Sequence, residues 1–381
     1  MRCNYYSREI TMLFELFLIC FISTLQYDDV AGVQKYENST SLGCNKCKCN
    51  GTFVDCANVK LDYLPGDFPS NITGLSLAKC GLTALNDTEL GTLYKHLRHL
   101  DIRDNKIAEL KNATFAGLNE LEYLDMGGNK YRADKIDPFV FSSLPNILEI
   151  IVRGYGNYDQ NKDLERNVSK AWFDTFKGLE NSTIERITFD AITVNPIILE
   201  KDIFIPLSNT KLKYLRLYNI RLVEIDMNSL LYLPFLEEID ISMNSLQMDL
   251  RYLDTYRNLY NSKLRHVIFH DNVQNYKPQK HYELLPEFIA KFFTINFPKT
   301  IEEINFSKST MTRGVGCYMS YGFKLERDNA IKKFDISNFK LMQRLGPMLG
   351  LVHLKEFYLQ GIGSELFPST VTCDNGAFES I

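Results

Sequence analysis

From Ile72 onward, apolar residues recur along the chain in one spacing. Leu97, Leu100 and Ile102 are followed by Asn105, and then by Ile107, Leu110, Phe115 and Leu118. Leu121, Leu124, Met126 and Asn129 repeat the pattern, as do Leu212, Leu215, Leu217, Ile220, Leu222 and Ile225, and then Leu236, Ile239, Ile241, Asn244 and Leu246. Weaker copies begin at Ile72, Ile147, Ile184, Leu264, Ile301, Ile331 and Leu354, which makes eleven units whose starts lie 23 to 37 residues apart. The two steps of 37 place insertions at roughly Tyr158–Lys170 and Asn275–Pro298. The L-x-x-L-x-L core of each unit predicts a short strand with alternate side chains turned inward. Asn105, Asn129, Asn244 and Asn272 stand where the chain leaves the strand, and their amides suit the unpaired backbone groups of a turn. Cys80 holds the same place in the first unit. Phe115, Phe141, Phe176 and Phe204 each precede a leucine (Leu118, Leu144, Leu179, Leu207) by three and are expected to plug the core from the far side.

This unit resembles the leucine-rich repeat at every position, including the alternation of Asn with Cys. The resemblance implies an α/β solenoid: a horseshoe with a parallel concave β-sheet and an irregular or short-helical convex side. Each buried Leu or Ile contributes about 1.5–3 kcal/mol, so a stack is stable where a single repeat is not. Insertions in such a stack become loops on one face, and loops of that kind often carry function.

Before the repeats the chain has another character. Arg2 and Arg8 precede the apolar run Met12–Leu25, a basic then hydrophobic order that reads as a signal peptide over residues 1–24. No later run reaches the ~18 apolar residues of a membrane span. Eight N-x-[ST] acceptors follow, at Asn38, Asn50, Asn71, Asn86, Asn112, Asn167, Asn181 and Asn305. Together they predict a glycosylated protein, secreted or on the outer side of the cell surface. At 45% hydrophobic and 24% charged, with a net charge of −4, the chain is neither disordered nor a generally basic nucleic-acid binder.

Nine cysteines include four at Cys44, Cys47, Cys49 and Cys56, just before the first repeat. A stack exposes its core at each end and needs a cap there. The four allow three disulfide connectivities, and four cysteines also suit zinc, but the secretory signals favour disulfides. Their spacing and place resemble the N-terminal flanking module of extracellular leucine-rich repeat proteins. That resemblance implies the pairs Cys44–Cys49 and Cys47–Cys56. The resulting division is a linker at 25–43, a cysteine-rich cap at 44–70 and repeats at 71–381. Cys317 and Cys373 are candidates for a further bridge. The last motif, Phe378-x-x-Ile381, reads as a repeat close with no cap after it, so the chain is expected to be incomplete at that end.

The residues between the leucines are expected on the concave face: His99, Asp101, Arg103, Tyr123, Asp125, Arg153, Arg186, Asp190, Tyr214, Arg216, Tyr218, Glu238, Asp240, His266 and His270. Tyr and Arg dominate binding hot spots, so Tyr214, Arg216, Tyr218 and Arg153 are the candidate ligand contacts. Arg216 is also expected beside Asp240 as an ion pair worth under ~1 kcal/mol. Asn305 falls between Ile304 and Phe306 on the same face. A glycan there would push the partner toward the N-terminal half, the lateral edge or the insertions. His266 and His270 are roughly 13 Å apart by strand rise, too far to share a metal. No catalytic motif appears, and no catalytic residue, metal or cofactor is expected.

The signal-like start, cysteine cap, irregular repeats, insertions and dense acceptor sites together resemble the N-terminal part of a Toll-like receptor ectodomain. That resemblance implies a protein or microbial ligand, a homo- or heterodimer, and a role in innate immunity. The alternative is a secreted binding, matrix or adhesion protein with no signalling domain.

Overall fold

The computed structural model describes residues 42–154, 168–192, 196–246, 262–272, 293–295, 299–309, 321–325, 329–338, 345–349, 351–358, 360, 370–373 and 376–379. All belong to the second of two compact units, Ser41–Ile381. In chain order the elements are β1 (Lys48–Asn50), β2 (Phe53–Asp55), β3 (Gly74–Ser76), α1 (Glu89–Leu93), β4 (His99–Asp101), β5 (Tyr123–Asp125), β6 (Glu149–Arg153), α2 (Val168–Asp174), β7 (Arg186–Asp190), β8 (Ile197–Leu199), β9 (Tyr214–Tyr218), β10 (Leu222–Ile225), β11 (Glu238–Asp240), β12 (His266–Ile268), β13 (Phe293–Ile295), β14 (Glu303–Asn305), β15 (Tyr321–Leu325), β16 (Lys333–Asp335), β17 (Leu345–Leu349), β18 (Glu356–Tyr358), β19 (Thr370–Cys373) and β20 (Gly376–Glu379).

One 13-stranded sheet runs through the unit in the order β1-β2-β3-β4-β5-β6-β7-β9-β11-β12-β14-β16-β18. Only β1–β2 is antiparallel within it; the later neighbours pair in parallel. Every apolar start read from the sequence, from Ile72 to Leu354, stands two residues before a strand of this sheet. The second leucine of each unit is the second residue of its strand. Leu75, Leu100, Leu124, Ile150, Ile187, Leu215, Ile239, Val267, Ile304 and Phe334 pair in register and form one buried file. This is the leucine-rich repeat solenoid.

The asparagines bridge consecutive coils. Asn105 Nδ2 donates to Leu77 O of the preceding coil at 2.8 Å and to Ile102 O of its own at 2.9 Å, while its Oδ1 accepts from Leu82 N. Asn129, Asn244 and Asn272 repeat the arrangement. Cys80 substitutes through Sγ, which donates to Cys56 O at 3.1 Å; burial pushes this thiol up to about 11, so it packs as a small apolar group and is unreactive. Ser309 fills the place in a later coil, where its hydroxyl donates to Phe269 O and accepts from Asn272 N. The residue just before this position is left-handed in coil after coil, with φ between 54° and 65° at Lys79, Asp104, Gly128, Met243, Asp271 and Lys308.

The far side is aromatic. Phe115 stacks on Phe141 at 6.4 Å, and Phe176 lies between Phe189 at 5.7 Å and Phe204 at 6.0 Å, all buried. Trp172 of α2 joins them and meets Tyr131 edge-on at 5.2 Å. Short helices and 3-10 turns cover this side in the earlier coils, as expected. Later coils differ: β13, β15, β17, β19 and β20 make a second, five-stranded sheet, and β8 pairs with β10. Phe378 lies in β20, opposite Val371 of β19, instead of closing a repeat.

At the N-terminus the cap carries disulfides Cys44–Cys49 and Cys47–Cys56, which leaves none of the four thiolates for zinc. Beneath it Val54, Leu61, Leu64 and Phe68 close the core. Tyr94 ties the cap to the first helical turn by donating to Pro65 O. Cys317, most of both insertions, the segment read as signal peptide and most of the linker lie outside the described residues. Among the described residues no helix is long and apolar enough to cross a membrane.

Two substitutions test this architecture. Leu100→Asp places an unpaired carboxylate in the shared file, costs several kcal/mol, and is expected to block secretion, whereas Arg216→Ala is secreted as wild type. Asn129→Ala leaves buried backbone groups unpaired and should lower unfolding free energy by about 1–3 kcal/mol in a urea titration.

Candidate functional site: the exposed face of the sheet

Parallel pairing arranges the exposed positions in rows that cross the strands. The first row, at the strand starts, reads Arg98, Glu122, Leu148, Glu185, Lys213, Glu237, Arg265, Glu302 and Lys332, mostly alternating in charge. Ion pairs join Arg98 to Glu122 at 3.6 Å, Lys213 to Glu185 at 3.0 Å, and Glu302 to Arg265 and Lys332 at 2.6 and 2.8 Å. Exposed pairs of this kind add little stability.

In the next row Phe53 lies across Gly74 and approaches His99, whose ring stacks on Tyr123 at 4.2 Å. A Cβ at Gly74 would collide with the Phe53 ring, which is why glycine stands there. Glu149 then faces Arg186 at 3.7 Å, Arg186 covers Tyr214 at 3.9 Å, Glu238 meets His266 at 3.1 Å, and Glu303 meets Lys333 at 2.7 Å. Burial among these rings holds the His99 imidazole below its ordinary range, with only partial compensation from Asp101 and Asp125.

The third row changes the reading of the acidic residues. Asp55, Asp101, Asp125, Asp240, Asn305 and Asp335 each accept the backbone N–H two residues ahead, at 2.8–3.1 Å. Asp101, Asp125 and Asp240 are buried. They therefore close the turn out of each strand and are not free ligand contacts. The signal was in the sequence, as an Asp or Asn two residues before a small residue or arginine at the strand end. It emerges only when the repeats are aligned as turns as well as strands.

The fourth row holds what is accessible. Arg153 crosses over Gly127 to reach Asp125 at 2.9 Å, a path that a Cβ on Gly127 would block. Arg153, Asp190 and Tyr218 lie side by side on β6, β7 and β9. Arg216 contacts Asp240 at 3.5 Å, as expected from the sequence, and lies over the Tyr218 ring at 4.4 Å. Burial pushes the Asp190 carboxyl above its ordinary range against the pull of Arg216 and Arg153. Tyr218 meets His270 at 6.4 Å across the strand between them, where Ser242 is buried beneath. The four candidate contacts are thus one patch: Arg153, Tyr214, Arg216 and Tyr218, with Arg186, Asp190 and His270 filling its gaps. Its rings and guanidiniums are held in place before any ligand arrives, which lowers the entropy cost of binding. His270 Nδ1 is 2.7 Å from Asp271, and no group of three metal-ligating side chains occurs among the described residues.

Of the acceptor asparagines, Asn50, Asn71, Asn86, Asn112 and Asn181 are exposed, and Asn305 is half-buried on the sheet face. Asn38 and Asn167 lie outside the described residues.

Residues 70–130 match the leucine rich repeat family model. Decorin of Rattus norvegicus is 21% identical over 224 residues, covering 44% of this chain and 63% of decorin. Tsukushi of Gallus gallus is 30% identical over 126 residues, covering 31% of this chain and 34% of Tsukushi. Toll-like receptor 3 of Mus musculus is 39% identical over 67 residues, covering 18% of this chain and 7% of the receptor. The chain thus spans less than two thirds of the length of each of these relatives.

The depressed His99 imidazole has a definite sign. Its stabilising contribution is fully present above the ordinary histidine value near about 6.5 and is lost as the pH falls through the lower folded value. In urea midpoints measured from about pH 7.5 to 5, wild type should lose stability relative to His99→Phe, which keeps the ring and cannot protonate.

Proposed function

We propose that this leucine-rich repeat chain is an extracellular recognition module that holds a protein ligand on the exposed face of its sheet. The observation that carries the reading is the fixed patch of Arg153, Tyr214, Arg216 and Tyr218 on a rigid parallel sheet. Arg and Tyr clustered in a preorganised surface are what binding hot spots are made of. The two cap disulfides support an oxidising compartment, and the five exposed acceptor asparagines support glycosylation there. The reading includes no catalytic residue and no cofactor.

Two finer readings share this surface. A secreted binding, matrix or adhesion protein is supported by the longer alignments with decorin and Tsukushi. The ligand-recognition part of a Toll-like innate immune receptor, pairing with a second receptor chain around a protein or microbial ligand, is supported by the 39% identity to Toll-like receptor 3 and by the irregular repeat lengths. The full-length transcript separates them: a membrane span and a signalling domain support the receptor, and a terminal cap followed by a stop codon supports the secreted form.

The binding reading has its own test. The chain, expressed through the secretory pathway, is expected to lose mass on enzymatic removal of N-glycans. Cross-linking on intact cells should then capture a protein with wild type that an Arg216→Ala/Tyr218→Ala variant, secreted equally, captures at least about tenfold less well, in line with hot-spot losses. Equal capture by both would remove the patch from the binding surface.

A further inference from the structure

A cleft of about 630 Å³ lies along the edge where β2 to β6 end, next to the patch, with which it shares Arg153. Its size falls in the range of about 300–1,000 Å³ typical of ligand sites. Small residues, Ala57, Ala78, Gly127, Gly128 and Gly154, form its floor. Over them project the exposed side chains of Lys79, Arg103 and Arg153.

The charges are layered. Asp101 and Asp125, which neutralise Arg103 and Arg153 in part, are buried beneath the sheet face with side chains 9% and 1% exposed, whereas the two arginine side chains are 48% and 43% exposed. A ligand in the cleft therefore meets the cations first. Asp104 is the exception, and its carboxylate rests against Gly128. The backbone N–H groups along this edge are already spent: Lys79 donates to Arg103 O, Asp104 to Gly127 O, Gly128 to Arg153 O and Gly154 to Asp190 O. Added β-strand pairing is thereby excluded, and recognition falls to the side chains.

The acceptor asparagines supply an independent observation. Asn50 and Asn71 sit at the opposite, strand-start edge, next to Phe53 and Gly74, and Asn86, Asn112 and Asn181 follow the sheet on the far side of the coils. No N-x-[ST] acceptor falls among the residues lining the cleft. With sugars at the acceptor positions, this edge stays bare.

We propose that the strand-exit edge over β2–β6 is a second docking site, which seats an acidic peptide segment of a protein partner through Lys79, Arg103 and Arg153. It rests on the protein-binding reading above and names a contact apart from the Tyr214–Tyr218 patch. Glycine and alanine on the floor let the peptide backbone approach closely, and the three cations bind its carboxylates.

The test uses the secreted, glycosylated chain and a fluorescent octapeptide of alternating Glu and Gly, read by anisotropy. Binding is expected, is expected to weaken as salt rises from about 0.05 to 0.3 M, and is expected to be absent for the matching Gln–Gly peptide. Lys79→Asn removes a charge and suits the left-handed backbone there (φ 57°), so it folds; it should weaken binding by about threefold or more, and Lys79→Arg should restore it. Arg216→Ala should leave peptide affinity unchanged, so loss of cellular capture with intact peptide binding, or the reverse, tells the two surfaces apart. Equal binding by Lys79→Asn, equal binding of the Gln–Gly peptide, or binding of a sulfated oligosaccharide with none of the Glu–Gly peptide would each overturn the proposal.

Discussion

The structure depends on one constraint: no coil of this chain can bury its own leucines. A three-residue strand with one apolar residue turned inward gains almost nothing alone. Set in register with its neighbours, the same residue enters a file that runs from Leu75 to Phe334 without a break in burial. The bridging side chains at Asn105, Asn129, Asn244 and Asn272 make the register specific, because each satisfies groups of two coils at once. Dispersion and hydrophobic burial drive the stacking, and the amides decide which alignment is stacked.

The same alignment produces the surface. Because strands pair without offset, chemistry repeated at one place in the repeat becomes a row, and a departure from the repeat becomes a site. The alternating charges at the strand starts and the Asp and Asn turn closures are repeated, and they serve the fold. Tyr214, Tyr218, Arg186 and Arg216 are departures, and they cluster. The neighbouring cleft arises in the same way, from an unusual run of small residues where later coils carry Asp190, Tyr218 and His270.

Much of this was legible in the sequence because the governing spacing is local. The leucine positions gave the strands, the Phe-x-x-Leu closes gave the plugs on the far side, and the patch residues were found from their places between leucines. The burial of Asp101, Asp125 and Asp240 was not seen, since strand alternation alone puts them on the open face and is silent on the turn that follows. Ser309 was missed as a bridging residue because its hydroxyl takes over a role the template gives to an amide. The second sheet was missed too: β13, β15, β17, β19 and β20 form where repeat lengths vary most, and all of the pairing but β19–β20 is set by neighbours tens of residues away. The cleft could not be read at all, because it is a property of five separate coils.

The contacts that skip a strand set a limit on how the chain can vary. Phe53 reaches His99 over Gly74, and Tyr218 reaches His270 over Ser242. The core of a repeat array tolerates the gain or loss of a whole unit where neighbouring coils present the same buried residues to each other. These bridges do not tolerate it: an added coil between β9 and β12 would part Tyr218 from His270 even if every leucine still found its file. Copy number in those two stretches is therefore held by the surface, while elsewhere the array stays free to lengthen or shorten.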